Sequence, residues 1–474
     1  MRFLVISFLL LLTLLLGECY VLAPVDPSKE FIMIILIMVI LLLILSFAGE
    51  KNIHLKGNMF TVKNIFLVSF IIVFFQAPLD YVLGYDVNLD WFFDMRILCK
   101  SVAFSALCLS VFLLGYKSAK QQSKPINEVV FKFKNITFFV LLGWLCLFIF
   151  IQIEGLSFFN GGYGSAEDGT TIENEDSARF FNYLLLCLQI VVISIIWNNV
   201  DKGKDRWSIK KYFSLFPISF LTLYFGVIVL WLCAGGRAIS LSLLLYFICG
   251  YIILSKKRMK IWLFVVLLIA GGFFLSVFKN MGGLLGGDAG TVDAFNQSRE
   301  ELVDYAYDKS IFLPTRELSY SIYVNNVLFD FWDNGGSFYG FPLLLNVLKS
   351  LPGGVALISL LFGVDITEFS IPSMAQDMVG AQHGLGNSCI AEFLVSIGFW
   401  GTLLMVYLFG VLFRKFDNDI ITYNRADLIL FVMTFSAFST AFFIPRGSFL
   451  SIISQSMIIY FVLYINKYIS KLAK

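Results

Sequence analysis

Long apolar runs broken by short charged stretches set the pattern of this chain. A helix that spans a bilayer needs about 20 mostly apolar residues. Windows of that kind fall near 3–22, 31–48, 64–83, 97–116, 136–153, 181–199, 214–233, 237–254, 261–278, 388–413, 427–444 and 448–466. They predict an all-α polytopic membrane protein of about 12 transmembrane helices. The first run is read as a helix rather than a signal peptide, because it is long and "GECYVLAPVD" behind it has no small-x-small cleavage site.

Between 279 and 387 the pattern changes. Glycines in "NMGGLLGGDAG" open a segment in which aromatic and charged residues mix, which predicts a folded extracytoplasmic cap between helices 9 and 10. The chain then divides into 1–278 with helices 1–9, the cap at 279–387, and 388–474 with helices 10–12. Inside the cap, "FPLLLNVLKSLPGGVALISLLFGV" is apolar but interrupted at Pro352, Gly353 and Gly354. It reads either as two half-helices on or dipping into the membrane, or as a helical hairpin packed within the cap.

Composition excludes a water-soluble globule, since 58% of the residues are hydrophobic and only 14% are charged. Charge orients the bundle. Most of the 35 Lys and Arg sit in alternate connections, from Arg2 through "KKRMK" at 256–260 to Lys474, and the positive-inside rule makes that side cytoplasmic with both termini inside. The other connections are acidic, as in "EGLSFFNGGYGSAEDGTTIENEDSAR". Of the two histidines, His54 then lies in a cytoplasmic loop and His383 at the extracytoplasmic surface. The eight cysteines lie in or beside apolar runs, which supports neither a disulfide framework nor a zinc site. No Gly-rich nucleotide cradle follows a strand, and "DND" at 417–419 reads as a solvated loop. No internal symmetry of transporter type is evident.

Arginines at the outer edge are the first chemical candidates. Arg237 in "CAGGRAIS" and Arg446 in "FIPRGSF" occupy turns too short to carry a guanidinium away from the membrane. A charge there marks a functional site, and two planar forks facing one cavity suit a phosphate-bearing ligand. The alternative is snorkelling to the headgroups. Arg316 in "IFLPTRELSYS" is a third candidate and Arg299 in "QSREE" a fourth, although flanking acids could pair with either.

His383 and Glu392, in "AQHGLGNSCIAEFLVSIGFWG", form the second set. An imidazole can take a proton from a hydroxyl while a carboxylate orients it. The alternative is a surface histidine, with Glu392 capping a helix N-terminus. Tyr305, Tyr307, Tyr320, Tyr323, Trp332 and Tyr339 suit either stacking on sugar faces or an interfacial belt.

The many spans, the late outer segment, "GGRA" opening a span before it, and the pattern G-x-G-x-S…E…G…G at Gly384, Gly386, Ser388, Glu392, Gly398 and Gly401 together resemble the Wzy-type O-antigen or oligosaccharide repeat-unit polymerases. The resemblance implies a metal-independent glycosyltransferase without a cofactor, acting at the outer face of the cytoplasmic membrane. It would move a growing chain from undecaprenyl diphosphate to the non-reducing end of a lipid-linked repeat unit. Arg237, Arg446, Arg316 and Arg299 would bind the diphosphate, and His383 with Glu392 would activate the acceptor hydroxyl. Lipid-linked oligosaccharides, membrane lipids, a chain-length regulator and a flippase are the implied partners, with no nucleic acid. The alternatives are an O-antigen ligase, which differs in its acceptor, and a flippase or transporter of lipid-linked oligosaccharides.

Overall fold

The computed structural model describes residues 2–48, 58–85, 95–119, 132–155, 175–200, 207–234, 236–255, 315–319, 321–349, 370–380, 386–422 and 427–472, with a few single positions between them. All regular structure among these residues is helical: α1 (Arg2–Val21), α2 (Lys29–Phe47), α3 (Val62–Leu83), α4 (Leu98–Ser118), α5 (Ile136–Glu154), α6 (Glu175–Asn199), α7 (Ile209–Phe213), α8 (Ile218–Cys233) and α9 (Arg237–Ser255). Then come α10 (Arg316–Ser319), α11 (Ser321–Asp333), α12 (Phe341–Lys349), α13 (Ile371–Val379), α14 (Cys389–Thr422), α15 (Leu428–Thr440) and α16 (Ser451–Leu472). Eight of them are long and apolar enough to cross a membrane, and α8 and α15 are shorter apolar helices. The chain is a multi-pass membrane protein. Each expected span coincides with a helix except 261–278, which lies outside the described residues apart from two single positions.

The α4 helix sits at the centre, buried along nearly its whole length and packed by α1, α2 and α14. Small residues make this possible. A Cβ on Gly115 would stand 2.1 Å from the Tyr407 carbonyl oxygen, and one on Gly410 would stand 2.2 Å from that of Phe112. The α4 and α14 backbones therefore touch, as small-residue seams allow in membranes. The outer helices bury one stripe only. In α1 it is Val5, Leu9, Leu12 and Leu16, while Phe3, Leu4, Phe8 and Leu11 face outward.

Residues from the basic connections meet at one end of the bundle. The last carbonyls of a helix lack intrahelical partners and carry partial negative charge. Arg2 donates to the Lys117 and Ala119 carbonyls at the end of α4, with Nη2 at 2.6 and 2.7 Å. Lys63 and Lys117 donate to the Ser46 and Ala48 carbonyls at the end of α2, at 3.0 and 2.6 Å. Asp417 corrects the reading of "DND" as a solvated loop: it is buried inside α14, which runs on to Thr422. Its carboxylate accepts from the Val62 N–H at 2.7 Å, capping α3, and from the Tyr116 hydroxyl at 2.8 Å.

At the opposite end α14 departs from the single span expected at 388–413. Gly398 has φ 73° and ψ −176°, so a short first part, 389–397, meets the rest of the helix at a kink. That backbone region is open essentially to glycine alone. The break frees the Val395 carbonyl, which accepts from the Phe338 N–H at 2.8 Å and the Ser337 hydroxyl at 3.2 Å. The α11 helix inserts beside the break, with every residue from Ser321 to Phe329 buried, and packs on α3, α4, α13 and α14.

Candidate functional site

The described part of the G-x-G-x-S pattern, from Gly386 to Ser388, enters α14 at the end away from the basic connections. Gly386 has φ 85°, a conformation that glycine adopts freely. A Cβ there would stand 3.1 Å from Arg446 Nε, so the arginine side chain lies directly over the Gly386 backbone. The same strands of chain are tied by the Asn387 N–H, which donates to the Arg446 carbonyl at 3.3 Å. Arg446 is half-buried in the turn Ile444–Arg446, and no carboxylate among the described residues pairs with it.

Ser388 starts the helix. Its hydroxyl accepts from the Ala391 N–H at 3.3 Å and donates to Asn325 Oδ1 at 2.8 Å. Asn325 Nδ2 donates in turn to the Ser101 hydroxyl of α4 at 2.9 Å, and Ser101 donates to Asn326 Oδ1. The α11, α14 and α4 helices are thereby joined by one buried polar chain. Ser388 thus makes the N-cap hydrogen bond, and Glu392 is the acidic residue of the first turn, as the alternative reading had it.

Glu392 points elsewhere. It is fully buried, and its Oε1 accepts from Asn346 Nδ2 of α12 at 2.5 Å. The Ser448 hydroxyl, two residues beyond Arg446, stands beside the carboxylate, while Oε2 makes no well-formed hydrogen bond. A carboxylate only accepts, and one left half-satisfied in a buried setting is costly unless it serves a ligand or a proton.

Of the other expected site residues, His383 and Arg299 lie outside the described residues. Arg237 and Arg316 are placed by their backbones only, as first residues of α9 and α10. Ile196 packs under Gly250 while the adjoining Trp197 meets Phe431 edge-to-face, and Tyr246 lies tilted against Phe435. That register makes α9 and α15 antiparallel, so the start of α9 at Arg237 lies at the end where α15 leads into Arg446. Arg316 is held near α3, because Thr315 donates to Gln76 Oε1 at 2.5 Å and Gln76 donates to the Phe312 carbonyl at 2.9 Å. The Ile444–Arg446 turn packs on α3 as well.

The aromatic candidates separate. Tyr323 is buried, Trp332 packs on Phe329, and Tyr339 is 90% exposed with φ 48°. Tyr305, Tyr307 and Tyr320 lie outside the described residues. The sequence reading missed Asn346, Asn325 and Ser448. A lone asparagine in "FPLLLNVLK" was the available signal, since an amide in an apolar run needs a partner.

A family model for the O-antigen polysaccharide polymerase Wzy matches residues 377–473. The match covers the whole G-x-G-x-S…E…G…G pattern together with Arg446, so the resemblance to Wzy-type polymerases holds over this part of the chain. Comparison with curated proteins and with solved structures gave no match.

Proposed function

We propose that the chain, with its Wzy-type C-terminal region, is a polysaccharide polymerase at the outer face of the cytoplasmic membrane. It transfers a growing glycan from undecaprenyl diphosphate to the non-reducing end of a lipid-linked oligosaccharide repeat unit. The observation that carries this reading is the Arg446 side chain laid across Gly386, in the segment that also holds the buried Glu392 and matches the family.

In the reaction the acceptor hydroxyl oxygen attacks the anomeric carbon of the donor glycan. The bond from that carbon to the diphosphate oxygen breaks, and lipid diphosphate leaves with the electron pair. Arg446 and Arg237, joined by Arg316 and Arg299, stabilise the charge that grows on it; guanidinium forks suit this because they bind phosphate oxygens in pairs. His383 takes the hydroxyl proton and Glu392 stabilises the resulting cation. Arginine charge does the work a divalent ion does in other glycosyl transfers, so elongation proceeds in the presence of a chelator.

Deleting the gene and resolving surface polysaccharide on a gel tests the reading. Single-repeat products are the expected result. Unattached long chains would instead mean a ligase, and absence of any repeat at the outer face would mean a flippase.

A further inference from the structure

Glu392 is gripped from outside its own helix. The group that reaches it, Asn346, comes from α12 in the cap and lies 46 residues away in sequence. The side chains of Phe341, Leu344 and Val347 turn outward on α12, while Leu345 is buried. The helix therefore presents apolar side chains to its surroundings and its one amide to the protein interior. An amide pointing inward from a helix that is apolar up to its terminal Lys349 is there for its partner, since burying it unpaired costs about 1–3 kcal/mol.

The geometry points to Asn346 as a positioning residue for Glu392: its Nδ2 fixes the carboxylate through Oε1 and so sets the direction of Oε2. This rests on the polymerase reading of Glu392. A carboxylate without that bond can rotate about its terminal torsion, which is broad and two-fold. With Oε1 tied to α12 and the Ser448 hydroxyl alongside, the carboxylate is held in one orientation. Asn346 itself touches neither donor nor acceptor.

The test uses the full chain in nanodiscs, with lipid-linked repeat units extracted from cells lacking the gene as substrate. Asn346→Leu removes the donor at similar volume, Asn346→Gln keeps an amide on a longer arm, and Asn346→Asp is isosteric but donates only when protonated. The expected result is a fall in kcat of at least about tenfold for Asn346→Leu with KM little changed, and partial recovery in Asn346→Gln. For Asn346→Asp the rate profile is expected to move toward lower pH, where a shared proton restores a hydrogen bond between the two carboxyl groups. Parent kcat and pH profile in the Leu and Asp variants would overturn the proposal. So would a loss that Gln does not repair and that leaves the Asp profile in place, because that is the signature of a packing defect. If Asn346→Leu does not insert, the Asp and Gln variants decide alone. Glu392→Gln separates the two levels: full activity there defeats the reading of Glu392 itself, whereas an inactive Glu392→Gln beside fully active Asn346 variants defeats only the positioning role.

Discussion

The Arg446 side chain fits over residue 386 because that residue has no side chain. If the guanidinium binds a diphosphate, Arg446→Lys keeps the charge and loses the paired contact, so polymer on a gel should fall sharply in both Lys and Ala variants while the protein still inserts. Arg237→Lys should behave alike. An arginine that only snorkels gives the opposite result, with Lys variants near parent activity. Gly386→Ala should reduce polymer as well, since it strains a residue at φ 85° and pushes on Arg446 Nε. At this scale the sequence spoke through cost. Arg446 and Glu392 stood out because charge is expensive among apolar residues. Asn346 and Ser448 did not: the amide in its apolar run signals that a partner is needed, but which partner is decided only where separate elements converge on one carboxylate.

Helices were legible wherever bilayer thickness dictates their length, which is why the runs from 3–22 to 237–254 coincide with α1 to α6, α8 and α9, while the five-residue α7 was not seen. The break in α14 was not, because hydropathy is blind to φ and ψ. Gly398 was visible as a motif glycine, yet its meaning lies in a backbone conformation that other residues reach only at a cost of about 1–3 kcal/mol. Gly398→Ala should lower thermal stability by about that amount, read as a drop in the melting temperature of detergent-solubilised protein. Asp417 was misread for a related reason: charge judged along the sequence marks a loop, whereas in the fold this carboxylate closes the N-terminus of α3. Asp417→Ala leaves the Val62 N–H and the Tyr116 hydroxyl without that partner. It should destabilise by about 1–3 kcal/mol and lower the yield of folded protein, with kcat per folded molecule unchanged.

Across the whole molecule the two ends differ in chemistry. Arg2, Lys63, Lys117 and Asp417 gather at one, and Glu392 and Arg446 at the other. Cysteine labelling from either side of the membrane should find position 54 reactive from the cytoplasm and position 383 from outside, and a cytoplasmic 383 would remove His383 from the proposed chemistry. The seam between α4 and α14 also has a consequence in time. Ser118 and its hydroxyl partner Tyr407 are separated by 289 residues. At a synthesis rate of about 5–20 residues per second, α4 waits roughly 15–60 s for the helix that covers it. Through that interval a helix lined with Ser101, Ser105 and Ser110 must borrow temporary company from insertion machinery or neighbouring lipid. A chain stopped before residue 389 never leaves that state and becomes prey for membrane proteases, whereas supplying 389–474 as a separate polypeptide in the same cell should rescue it.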